Sequence, residues 1–373
     1  MNKRLAKAQR WVVKIGSALL TNDGKGLAHG DIAGWVAQIA ELHKQNKQIS
    51  LVSSGAVAAG MTRLGWATRP TELYRQQAAA AVGQMGVIQT YEACFQQYGI
   101  HTAQILLTHD DMSNRERYLN ARSVMRALLD LRVAPVVNEN DTVATSEIQF
   151  GDNDTLGGLV ANLIEADLMV ILTDQLGLYS ADPRQHPDAT LIPEGRAGDK
   201  ALYAMASSSG GSLGRGGMYT KLRAAELAAR SGTITLIASG REPDVLKRIA
   251  NGENPGTILL PSRPPLAARK RWLASQLHPA GNLHLDAGAA HSLRHSGRSL
   301  LAVGVTGVEG AFRRGDIVSC VDPDGMEMAR GLVNYNADEA AKIRARPSEQ
   351  IMDVLGYTGE PELIHRDNLV LLE

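Results

Sequence analysis

The sequence predicts an α/β protein built on a mostly parallel sheet, followed by a smaller, mainly β module. Three observations carry this. From Trp11 to about Leu260, short β-branched apolar runs alternate with longer Ala-rich stretches, the pattern of βαβ units. Near Asn254-Pro-Gly and Pro261–Pro265 the composition breaks into Pro-rich turns. Beyond Arg269-Lys-Arg-Trp272 come short strands separated by Gly, Asp and Pro, the spacing of a small barrel-like unit. The 373 residues therefore divide into a first domain at 1–262, a linker at 263–278 and a second domain at 279–373.

Strands are expected at Trp11–Ile15, Ile49–Val52, Thr102–Leu107, Val133–Val137, Leu168–Leu172 and Thr233–Ala238, each a short apolar run. Helices fit at Asp31–Lys44, Gln76–Tyr98, Asn120–Leu129, Leu156–Leu163 and Met218–Ser231, where Ala, Leu, Gln and Arg favour helix and apolar positions recur at three and four. In the second domain, strands are expected at Asn282–Asp286, Ser299–Val303, Ile317–Val321, Met326–Leu332 and Asn368–Leu372.

Charge and cysteine content exclude several classes. Lys plus Arg and Asp plus Glu number 39 each, so no global field draws the chain to nucleic acid or an acidic membrane. Residues 261–373 alone hold thirteen basic against fourteen acidic residues, so the second domain is not a basic one. Cys94 and Cys320 lie far apart and outside any metal spacing, and both read as small buried apolar residues. The charged start, Met1-Asn-Lys-Arg, is followed by too short an apolar run for a signal peptide or a membrane span, as expected of a soluble protein in a reducing cytoplasm.

Chemistry concentrates at expected strand ends. Asn138-Glu-Asn-Asp141 and Gly151-Asp-Asn-Asp154 place carboxylates and amides between an apolar strand and a helix, where α/β proteins hold ligands. Lys14 sits inside an apolar strand ending at Gly16, a costly place unless its ammonium meets an anion or snorkels to water. Ser53-Ser54-Gly55 leads a strand into a helix whose first N–H groups could take a carboxylate, or which Ser54 could simply cap. Thr173 and Asp174 end another strand. Finally, the Gly-rich run from Gly210 to Gly217 opens a helix carrying Lys221, a combination suited to phosphate.

Other motifs fail on spacing. No P-loop sequence occurs, and the Gly-rich run has Tyr219 where a dinucleotide fingerprint needs its third glycine. Leu156 and Leu163 fall on ligand positions of the calcium-loop pattern that begins at Asp152. No metal-ligand set is apparent. Two lysines, a phosphate cradle and an acidic/amide loop together point to phosphoryl transfer onto a small zwitterion. No carboxylate stands out as a general base. A carboxylate acceptor would need none, because with a pKa of about 4.3 it is already an anion at neutral pH.

These segments, with Arg115–Arg122, closely resemble the glutamate 5-kinases of the amino acid kinase superfamily, nearly end to end, and the last domain resembles a PUA domain. The resemblance implies an αβα sandwich that makes L-glutamyl 5-phosphate from L-glutamate and ATP with Mg²⁺. By it, Lys14, Lys221 and Asp174 are the expected catalytic residues. Ser54, Asp141, Asn153, Asp152 and Asp154 would bind substrate. Lys14, Thr173, Asp174, Arg215, Gly216, Gly217, Met218, Tyr219, Thr220 and Lys221 would bind ATP. Arg215 and Tyr219 depart from the family in being bulkier than usual. Proline inhibition and assembly into homodimers or homotetramers are also implied. Two competing readings are RNA binding through the PUA-like domain and a sibling kinase acting on another carboxylate.

Overall fold

The computed structural model describes residues 2–21, 26–143, 153–207, 217–261, 279–357 and 359–372. Asp152, Arg215 and Gly216, and the expected linker 263–278, lie outside the described residues. The chain forms two compact units. The first comprises Met1–Met112 and Ala121–Pro265, the second Ser113–Asn120 and Leu266–Glu373.

The first unit is built on one eight-stranded sheet. Its strands are β1 (Arg10–Ile15), β2 (Gln48–Val52), β3 (Thr102–Leu107), β4 (Ala134–Glu139), β5 (Leu168–Thr173), β6 (Glu194–Arg196), β7 (Ile234–Ser239) and β8 (Thr257–Leu260), in the order β3-β4-β2-β1-β5-β7-β8-β6. All neighbours are parallel except β7 with β8. The central strands are continuous apolar runs because helices cover both faces, and β5 is buried at every position. The chain moves outward from β1 to β2 on one side and returns to β5 on the other, so the carboxyl ends of β1 and β5 flank the switch point where such sheets bind ligands. Lys14 lies there, in register with Val52 on β2 and Ile171 on β5.

Helices α1 (His29–Lys44), α2 (Ala56–Arg63), α3 (Leu73–Gln96), α4 (Arg115–Asp130) and α5 (Asn153–Ile164) follow the expected apolar spacing. Two more, α6 (Lys200–Ser207) and α7 (Met218–Ala228), precede β7. Helices α2 and α3 cross with their backbones in contact. A Cβ on Gly60 would come within 1.7 Å of the Ala79 carbonyl, and one on Gly83 within 1.8 Å of the Ala56 carbonyl. No other residue type permits that approach.

In the second unit a five-stranded sheet runs β10-β9-β11-β12-β13, formed by β9 (Gly281–Leu285), β10 (Val305–Gly310), β11 (Ile317–Val321), β12 (Glu327–Leu332) and β13 (Leu369–Leu371). Only β9 with β11 is parallel. Helix α8 (Ala287–Ser296) is capped by Asp286, and α9 (Ala337–Ile343) begins with a reciprocal capping box between Asn336 and Glu339. Leu119, at the start of α4, packs with Ile317, Leu332 and Val370.

Three expectations change. Ser299–Val303 is not a strand: Leu300 makes an isolated bridge to Ile364, a 3₁₀ turn follows at Ala302–Gly304, and the strand begins at Val305. That strand has two glycines and a register shift between Val305 and Gly307, which hides it from any alternation pattern. The Pro-Gly turn after Asn254 leads into β8, a strand not among those expected. Cys320 is buried, but Cys94 is only half-buried.

Candidate active site

The site is organised by one carboxylate. Asp154, in the first turn of α5, is 1% exposed, and its Oδ1 lies 2.5 Å from Lys14 Nζ while Oδ2 lies 3.2 Å from Lys221 Nζ. Thr220 donates its hydroxyl to the same Oδ2 at 2.7 Å. Lys14 and Lys221 are 5% and 4% exposed, so β1, α5 and α7 bring two ammonium groups and one carboxylate to a single buried focus. Burial alone would push the Asp154 carboxyl up, but the two lysines, with hydrogen bonds from Lys14 and Thr220, hold it well below the usual carboxylate range. It stays an anion. The cluster carries a net positive charge, which is what an incoming phosphate requires.

A second network begins one residue earlier. Asn153 Nδ2 donates to the Ser53 carbonyl (2.7 Å), to Ser54 Oγ (3.0 Å) and to Asn138 Oδ1 (2.9 Å). Asn138 in turn donates to Gln84 Oε1 at 2.7 Å. Ser54 does not cap α2. The N-cap is Gly55, in the left-handed region at φ 86°, and it makes no side-chain cap. A Cβ at Gly55 would also meet Thr21 Cγ2 at 2.9 Å, so glycine is required twice over. The Ser54 hydroxyl is thereby left to the site.

Asp141 follows β4 and is half-buried. Burial pushes its carboxyl up to about 6, with the Arg69 guanidinium opposing. Arg69 itself is held by Gln76 Oε1, which accepts from Nε at 3.2 Å and from an Nη at 3.0 Å. At the end of β5, the Thr173 hydroxyl donates to Asp174 at 3.0 Å. Gly217 caps α7 with no side-chain bond, so the backbone opens that helix. Met218 follows it, and the exposed Tyr219 packs edge-on against Tyr203 of α6, ring centroids 5.2 Å apart. Tyr203 donates to Glu226 at 2.6 Å.

The structure thus brings Lys14, Asp154, Thr220 and Lys221 into one cluster and Asn153 and Ser54 into the adjoining one. Among the described residues no contact ties Asp141 or Asp174 to either: Asp141 meets the Arg69 charge and Asp174 the Thr173 hydroxyl. Asn138 and Gln84 carry the second network, yet neither stood out in sequence as a site residue. Asn138 could have been found, since it opens the polar stretch at the end of β4. Gln84 could not: it is one glutamine in a helix rich in them.

The sequence model of the amino acid kinase family matches residues 9–238. A protein named glutamate 5-kinase, from Thioalkalivibrio sulfidiphilus, is 64% identical over 370 residues and covers 99% of both chains. The chain belongs to the amino acid kinase family, among the glutamate 5-kinases. A second protein of that name, from Chromohalobacter salexigens, is 63% identical over 368 residues, spanning 99% of this chain and 97% of its own length. The PUA domain model matches residues 281–355, within the second unit. Among solved structures, a carbamate kinase from Giardia lamblia bound to AMP-PNP superimposes with a TM-score of 0.51 at 17% identity, covering 68% of this chain and 99% of that one. That likeness shows the amino acid kinase fold.

Proposed function

We propose that this protein transfers the γ-phosphoryl group of ATP to the γ-carboxylate of L-glutamate. The observation that carries this reading is the focus at Asp154, which holds Lys14 and Lys221 together at the switch point, beside the Asn153–Ser54 network. Family membership with proteins named glutamate 5-kinase supports the choice of substrate.

In this reading a γ-carboxylate oxygen attacks the γ-phosphorus while the bond from phosphorus to the ADP oxygen breaks. The acceptor arrives deprotonated, so no base is required. What must be overcome is repulsion between two anions, and Lys14 and Lys221 supply preorganised positive charge where it is greatest. Asp154 aligns the two ammonium groups; pinned by both, it does not accept a proton. Asp141 holds the substrate ammonium and the Ser54 hydroxyl holds a carboxylate, while Asn153, beside them, donates to Ser54 Oγ and so turns that hydroxyl's proton outward. Thr173, Asp174 and residues 215–221, with backbone N–H groups at Gly217, receive the nucleotide.

Among the described residues no group of three or more His, Cys, Asp or Glu could cage a metal ion. Mg²⁺ carried on ATP phosphates takes few protein ligands. When bound with the nucleotide it supplies charge neutralisation at the phosphates. Among those residues no helix is long and apolar enough to cross a membrane. The family resemblance further supports proline as an inhibitor and a homo-oligomeric assembly. The PUA-like unit leaves room for RNA binding, although its balanced charge favours none.

ADP release in a coupled assay, compared across L-glutamate, L-aspartate and N-acetylglutamate, tests the reading. Release that depends on L-glutamate is expected. Turnover of either competitor with none of L-glutamate would replace it with a sibling kinase.

A further inference from the structure

We propose that Gln84 is a specificity-determining residue whose amide nitrogen binds the α-carboxylate of the amino-acid substrate. The hydrogen-bond network fixes which end of each amide faces which partner. Asn153 must present Nδ2 to the Ser53 carbonyl, since a carbonyl can only accept. Asn138 must present Oδ1 to the Glu139 backbone N–H (2.9 Å) and to Asn153 Nδ2, since both are donors. Its Nδ2 therefore faces Gln84, which must answer with Oε1. The Gln84 amide is left with Nε2 as its free end. That nitrogen is buried in a side chain 9% exposed and meets no protein acceptor among the described residues. A buried amide N–H without an acceptor is costly. At the rim of a substrate site, the costly donor marks where a ligand acceptor goes.

The identity of that acceptor rests on the proposed function. Of the substrate's groups, the ammonium cannot accept, and the γ-carboxylate is required at Lys14 and Lys221. Gln84 contacts Asn138, three residues before Asp141 on the same strand end, and Asp141 takes the ammonium. The α-carboxylate shares its carbon with that ammonium. Backbone contact between α2 and α3 at Gly60 and Gly83 holds Gln84 in place, one residue beyond the crossing.

Substrate truncation tests this with the full-length enzyme. 4-Aminobutanoate is L-glutamate without its α-carboxylate, and glutarate is L-glutamate without its ammonium. Gln84→Ala should raise KM for L-glutamate about 10- to 100-fold, the range for a hydrogen bond to a charged group, with KM for ATP unchanged. The preference for L-glutamate over 4-aminobutanoate should shrink by the same factor, while the preference over glutarate holds. Gln84→Glu keeps the acceptor for Asn138 but removes the donor, and it should show the same selective loss if the Ala variant proves unstable. Equal losses on all three substrates would reduce Gln84 to a prop for Asn138 and overturn the proposal. Should wild-type enzyme ignore L-glutamate and act on L-aspartate, the proposed function fails while this proposal is read instead against β-alanine. Turnover of a substrate lacking any α-carboxylate in preference to both amino acids would sink it.

Discussion

Asp154 makes the sharpest prediction at the scale of single residues. A buried carboxylate between two lysines cannot be removed without leaving like charges facing each other, and breaking a buried pair in this way costs about 3–5 kcal/mol. Asp154→Ala should therefore lower the melting temperature as well as activity. Asp154→Asn removes the same charge but keeps the shape and an acceptor oxygen, so it should destabilise less than Ala while lowering kcat by about 100-fold or more if preorganised charge carries the step. A normal kcat in a folded Asn variant would refute the role given to it. Asp141 predicts a pH effect. Its carboxyl, pushed up to about 6, is charged above that pH and neutral below, so kcat/KM for L-glutamate should fall as pH drops through about 6. The Asp141→Asn variant should be weak throughout and lose that limb, measured as kcat/KM from pH 5 to 8.

At the scale of elements, the crossing of α2 and α3 sets the geometry. Gly83→Ala would drive a methyl into the Ala56 carbonyl, so the helices must separate. We expect a loss of about 1–3 kcal/mol in thermal or denaturant unfolding, and a raised KM for L-glutamate with little change for ATP. An unchanged stability would show that the helices have slack. Much of this level was legible in sequence. The central strands announced themselves as apolar runs, Lys14 and the acidic loop stood at their ends, and Lys221 stood in the helix that the Gly-rich run opens. What was hidden depends on long-range pairing. Gly55 rather than Ser54 caps α2 because of its left-handed backbone, and Asp154 proved to be the hub because three distant elements meet at it. Strand β10, bulged and twice interrupted by glycine, carried no period to read.

For the whole molecule, balanced charge is the governing fact. With 39 basic and 39 acidic residues, the protein has little to gain by releasing counterions from a polyanion. Structured RNA should give no mobility shift at about 0.15 M salt, and a shift that weakens steeply with added salt would revive the RNA reading. The second unit reaches back in sequence for Ser113–Asn120, an excursion that no compositional break announced. Leu119→Asp should accordingly destabilise the sheet of β11, β12 and β13, since Leu119 packs with Ile317, Leu332 and Val370. Proteolysis or hydrogen exchange resolved over those strands reads that out.

The glycine crossing also bears on how this enzyme could be altered. Most helix pairs meet through a layer of side chains that can be trimmed or swollen by a methylene at modest cost. Here peptide planes meet peptide planes, and that cushion is missing. Substitutions elsewhere on α3 would move Gln84 and the Ser53–Ser54 turn together, as a gear turns its neighbour. Selection for a longer or shorter amino acid should then leave Gly60 and Gly83 untouched and fall on Asn138, Asp141 and Gln84.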